Sequence, residues 1–128
     1  MSNIRFANTT IALGALGMFF AVAAGAFGAH GLKNTLSIEM LKVYQTAADY
    51  QFIHAIGLIF IGVLHKQAAH STHKVITAFI LSGIILFCGS LYALSLTGIK
   101  SLGMITPIGG ICFLIAWLLL AILYFKRD

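Results

Sequence analysis

The stretch QTAADYQFIHAIGLIFIGVL, Gln45 to Leu64, decides how this chain folds. Its purely apolar part, Ile53 to Leu64 apart from His54, is too short to cross a hydrocarbon core of about 30 Å, which needs about 20 helical residues. Counting back about 20 residues from Leu64 reaches Gln45, so the span takes in Gln45, Asp49, Tyr50, Gln51 and His54. A charge at the centre of a span costs about 2.5 to 3.5 kcal/mol on insertion scales, so these groups need partners or water.

Three other apolar runs flank this one, and each is long enough to span. Thr10 to Gly28 is rich in Gly and Ala; Val75 to about Leu96 carries Ser82, Cys88, Ser90, Tyr92 and Ser95; Pro107 to Phe125 is almost wholly apolar. The first run imitates a signal peptide, but it is longer than a secretory h-region of about 7 to 15 residues and reads as a retained helix. With 128 residues, 60% hydrophobic and 9% charged, the composition excludes a soluble fold. The fold class is therefore all-α: a polytopic, four-transmembrane-helix bundle in a single domain, residues 1–128, with helices over about 10–28, 45–64, 75–96 and 107–125.

Between the first two spans, Leu36, Met40, Val43, Tyr44 and Ala47 form a helical stripe, with Lys33, Glu39 and Lys42 elsewhere. That pattern predicts a short amphipathic interfacial helix over about 36–46, with Ser37 as its N-cap and Glu39 in the first turn. Thr106 and Pro107 predict the start of the last helix, threonine as cap and proline at the first helical position. Ala21 with Gly25 and Ala24 with Gly28 stand four apart, a spacing that lets a neighbouring backbone approach closely.

The net charge of +5 does not indicate nucleic acid, because the eight Lys and Arg are spread singly along short loops. Counted by side, Arg5, Lys66, Lys74, Lys126 and Arg127 oppose Lys33, Lys42 and Lys100. That asymmetry predicts cytoplasmic termini in a multi-pass bacterial inner-membrane protein. Cys88 and Cys112 lie inside apolar runs without metal-ligand spacing and read as packing residues. No cofactor is indicated.

This topology gathers polar residues at one end. His30, then Gln45, Asp49, Tyr50, Gln51 and His54, then Ser90 and Tyr92, then Thr106 with Gly109 and Gly110, all fall in the outer half. The inner half reads as a dry plug, so the expectation is an outward-facing polar vestibule that binds a small ligand, an ion, a lipid or a partner helix. Pairing Asp49 with His30, and His54 with Tyr92 or Ser90, would satisfy these groups most economically. The alternative is that they only attach helix to helix, each bond contributing roughly 0.6 to 2 kcal/mol. His65, His70 and His73 in the inner loop have no well-defined metal spacing, and Lys66 and Lys74 beside them would repel a cation. Gly25, Gly28 and Gly31 lack the GxGxxG spacing and follow no strand, so they read as helix packing. Trp117, in mid-helix, should pack inside the bundle or against another subunit.

The motifs GAFGAHGL (25–32), YQTAADYQFIHAIGL (44–58), GSLYALSL (89–96) and TPIGGICFLIAW (106–117) resemble the YgdD-like family of small four-helix membrane proteins, a domain of unknown function. The resemblance covers nearly the whole chain and implies four membrane helices, with no reaction, substrate or cofactor. Function classes then order themselves. A non-enzymatic binding protein needs only what is present. A small transporter or channel would need an oligomer or larger membrane complex and an ionisable path through the inner half, which is missing. An intramembrane metal-dependent enzyme would use His30, Asp49 and His54, a weak pattern in any order.

Overall fold

A computed structural model describes residues 1–126. Arg127 and Asp128, which entered the charge count above, lie outside the described residues. Among the described residues, four helical stretches are long and apolar enough to cross a membrane: Asn3–His30, Ile38–Gln67, Ser71–Thr97 and Lys100–Phe125.

The first helix, α1 (Asn3–His30), starts at Ser2, whose hydroxyl accepts the N–H of Arg5 at 3.2 Å. Ser37 caps α2 (Ile38–Gln67) in the same way, accepting from Met40 N–H at 3.1 Å, with Glu39 in the first turn as expected. The expected separate interfacial helix over 36–46 is absent as an element, because that segment runs without a break into α2. Nothing between Ile38 and Gly57 interrupts it: there is no Gly or Pro, and Tyr44, Ala47 and Ala48 are buried against neighbours. The resulting helix of 30 residues is about 45 Å long and outreaches the hydrocarbon core.

The third span consists of α3 (Ser71–Gly83), a π-helical turn (Ile84–Cys88) and α4 (Gly89–Thr97). It ends at Gly98, whose φ of 73° is left-handed and suits glycine. A short 3₁₀ turn (Lys100–Met104) leads into α5 (Thr106–Phe125), with Pro107 in its first turn. Thr106 does not cap α5 as expected; its hydroxyl meets Ser90 instead.

The helices form a layered series around α2. The α1 helix packs along α2; α2 packs on its other side against α3, the π turn and α4; α5 lies against α3 and the π turn. The α1–α2 contact is built on small residues. A Cβ added at Gly14 would stand 2.6 Å from Ile59 Cγ1, and one at Gly62 would stand 2.6 Å from Ile11 Cγ1 and 2.9 Å from the Ala7 carbonyl. Lipid supplies no hydrophobic drive, so close backbone approach and dispersion hold such a pair. Across the other hairpin, Gly83 faces the Phe113 ring and Gly109 lies on the backbone of Phe87. Leu58, Ile61, Ile76, Ile80 and Ala116 are fully buried together and fill the space between the two ends of the bundle.

Candidate functional site

Gln51 sits near the middle of α2 and joins three helices. Its amide donates to the Gly17 carbonyl of α1 at 2.9 Å, and its amide oxygen accepts from the Tyr92 hydroxyl of α4 at 2.8 Å. Tyr92 stands edge-on to Tyr44 at 5.1 Å, and the Tyr44 hydroxyl donates to the Ala24 carbonyl at 2.6 Å. Gly28 gives Tyr44 its room, since a Cβ there would collide with the ring. One hydrogen-bonded layer thus ties α1, α2 and α4.

His54 lies one turn further along α2. The Trp117 indole N–H donates to His54 Nε2 at 3.0 Å, and His54 Nδ1 is 2.7 Å from the Tyr50 carbonyl. An indole nitrogen only donates, so Nε2 is the bare nitrogen and Nδ1 carries the proton given to Tyr50. Phe113 stacks on the ring at 3.4 Å between centroids. Both ring nitrogens of His54 are therefore engaged, with neither left for a metal or a proton transfer.

Nearer the interhelical loops, the Ser90 hydroxyl donates to the Phe87 carbonyl at 3.0 Å and meets Thr106 Oγ1 at 2.6 Å. Both residues that hold Ser90 in place lie at the π turn or at the start of α5. A π turn widens the helix locally and such turns are frequent at functional sites.

These pairings differ from the expected ones. Asp49 is exposed and accepts from Gln45 Nε2 at 2.9 Å, not from His30. The reason is local, since Gln45 and Asp49 are one turn apart on the same face of α2. His30 is exposed at the end of α1 and has no hydrogen bond or ion pair among the described residues. Hence His30, Asp49 and His54 are not assembled as an enzyme would need, and among the described residues no group of three His, Cys, Asp or Glu side chains is placed to hold a metal. Of the packing glycines, Gly28 and Gly109 make close approaches, whereas Gly25 and Gly110 have only ordinary contacts of 3.7 and 3.8 Å.

Beside this cluster a groove opens between α2 and α5. Its half next to the interhelical loops, about 530 Å³, has Tyr50, His54, Phe87, Pro107, Phe113 and Trp117 among its walls. A second half of about 410 Å³ continues along Phe60, Leu64, Trp117, Leu120, Ala121 and Tyr124. Trp117 belongs to both halves and marks their junction.

The opposite end is not the apolar plug expected from sequence. His65 and His73 are buried there, 5.6 Å apart between ring centroids, with Thr77 buried nearby. His70 Nδ1 accepts the N–H of Thr72 and caps α3.

Residues 24–110 match the family described as a protein of unknown function (DUF423). A UPF0382 membrane protein of Staphylococcus saprophyticus is 47% identical over 116 residues, 91% of this chain and 96% of the relative. The chain belongs to this family. A second UPF0382 membrane protein, YwdK of Bacillus subtilis, is 42% identical over 114 residues, 88% of this chain and 92% of the relative. No solved structure matches the chain. The DUF423 match and these relatives make the protein an integral membrane protein of a family without an assigned activity, which is the level at which the motif resemblance holds.

Some of the site was missed in the sequence although a signal was present. Ala7, Gly14, Ala21 and Gly28 recur every seven residues and are all buried, facing Ala48, Ala55 and Gly62, which have the same spacing and are also buried. That is a small-residue seam of period 3.5, the mark of helices that coil around each other. The four-residue spacings singled out above caught two members of it, Ala21 and Gly28, each paired with a residue outside the seam. Tyr44 had been assigned only to an amphipathic stripe, and nothing local predicts its bond to Ala24.

Proposed function

We propose that this chain is a non-enzymatic membrane protein that holds a hydrocarbon chain, of a lipid or of a lipid-soluble ligand, in the lateral groove between α2 and α5. The observation that carries this reading is the groove itself, which runs from Pro107 to Tyr124, a rise of about 26 Å on α5, close to the thickness of the hydrocarbon core. Its walls are apolar or aromatic, and the ring nitrogens of His54 at its floor already have partners. Such a surface offers shape and dispersion to an apolar occupant, and His54 offers no free ring nitrogen to an ion. The binding surface is thus beside the polar cluster, and the vestibule of the sequence reading becomes a set of helix attachments. The setting belongs to the same proposal: a bacterial inner membrane, termini in the cytoplasm, and a YgdD-like protein by its motifs.

Trp117 is the chain's single tryptophan, so its fluorescence reports on the groove alone. In micelles or bilayers of phosphatidylcholine brominated along its acyl chains, Trp117 emission is expected to be strongly quenched. Gly110→Leu and Ala121→Phe, one in each half, should reduce that quenching by filling the groove. Wild-type emission indifferent to brominated chains, together with cross-linking between copies along α5, would replace the lipid by a second copy of this chain.

A further inference from the structure

At the end of the bundle that carries the N-terminus, a different kind of opening lies between α1, α2 and α3. It measures about 190 Å³ and is lined by Asn3, His65, Ala69, His70, Ser71 and Lys74. We infer that it is a binding site for a phosphate group, free or as the headgroup of an anionic phospholipid. This inference is independent of the groove reading.

Two helix starts converge there. Asn3 is the first residue of α1 and Ser71 the first of α3, helices of 28 and 13 residues. The first N–H groups of a helix have no partner within it, and the helix dipole favours negative charge beside them. Side chains cap one N–H at each start, Ser2 taking that of Arg5 and His70 that of Thr72. Among the described residues, the N–H groups of Asn3 and Ser71 have no acceptor.

A second observation points to a ligand without reference to the helix ends. His65 is 1% exposed and lines the pocket, and among the described residues neither ring nitrogen has a partner in full hydrogen-bond geometry, the backbone of His70 being a polar neighbour only. A buried donor left in that state costs about 1 to 3 kcal/mol, and an oxyanion at the pocket would supply the missing acceptor. Phe6 links two of the lining residues: its ring meets His65 edge-on at 4.8 Å and carries Lys74 Nζ over its face at 5.6 Å. The His65 imidazole and the Lys74 ammonium therefore flank one space.

The charge distribution selects an anion. Arg5, Lys66 and Lys74 lie at this end, while Glu39 and Asp49 lie in the opposite half of α2 and the third acidic residue, Asp128, is outside the described residues. Donors approach from the starts of two helices, from an ammonium and from an imidazole, an arrangement that suits a tetrahedral oxyanion better than a planar carboxylate. The volume is several times the about 30 Å³ share of one water, enough for a phosphate group.

The test uses the full chain purified in a neutral detergent, with thermal unfolding as readout. One arm titrates inorganic phosphate against chloride at matched ionic strength; the other adds phosphatidic acid to the micelles, against phosphatidylcholine. The expected result is a rise in Tm in at least one arm, with apparent affinity about tenfold weaker in Lys74→Met and in His65→Phe. A rise in the phosphate arm assigns a free phosphate, and a rise confined to phosphatidic acid assigns a lipid headgroup. No rise in either arm, or a rise that Lys74→Met retains in full, would overturn the site. Lys74 is exposed, so this variant should keep the wild-type Tm without ligand and remain informative if His65→Phe does not fold.

Discussion

The two ends of α2 both carry buried polar side chains, yet they treat them in opposite ways. Towards the start of the helix and at its middle, Tyr44, Gln51 and His54 all have partners on other helices. In the last turn, His65 is equally buried and has none among the described residues. A membrane interior offers no water to an orphaned group, so polar residues that only attach helices are expected to be matched within the protein. The paired cluster is accounted for by architecture. The histidine left unmatched among the described residues is where the phosphate site inferred above would supply a partner.

The largest break in this contrast should come from Gln51→Leu. That change removes two of the three hydrogen bonds of the layer and strands the Tyr92 hydroxyl and the Gly17 carbonyl, for an expected loss of about 2 to 3 kcal/mol. Thermal unfolding in detergent measures it; an unchanged Tm would mean that the small-residue seam and the Tyr44–Ala24 bond suffice to hold α1. Next is His54→Phe, which keeps the stack on Phe113 but leaves the Trp117 N–H without an acceptor. A loss of about 1 to 2 kcal/mol is expected, with a shift in Trp117 emission as an independent sign that this bond was the one broken. Ser90→Ala should cost less, about 0.5 to 1 kcal/mol, because Thr106 lies at the edge of the bundle and water can serve it.

What the sequence disclosed about these regions follows from the range of the interactions. The four spans depend on runs of apolar residues, and the caps at Ser37 and the proline in the first turn of α5 depend on neighbours within one turn, so all of them were legible. The short apolar part of α2 also showed that Gln51 and His54 must be buried. Their partners were not legible, since Gly17 and Tyr92 stand 34 and 41 residues from Gln51, and Trp117 stands 63 from His54. Asp49 was misassigned for the converse reason: a partner four residues away, Gln45, prevailed over a distant His30. The polar character of the terminal end was missed because His65 and His73 were read as loop residues, whereas α2 continues to Gln67 and α3 begins at Ser71. Helix length, not composition, buried them.

The smallest effect is the most discriminating. His65→Phe is the same substitution as His54→Phe at a similarly buried position of the same helix, 3% exposed against 1%. If burial alone set the penalty, both variants would lose comparable stability. Since His65 forms no hydrogen bond of full geometry among the described residues, and phenylalanine removes a polar group that burial disfavours, the stability of this variant in phosphate-free detergent should stay within about 0.5 kcal/mol of wild type or rise. Adding phosphate should then separate the two positions in the reverse order, with His54→Phe keeping the wild-type response and His65→Phe losing it. A loss at His65→Phe as large as that at His54→Phe, in the absence of any ligand, would show that the last turn of α2 is held by a contact of the paired kind.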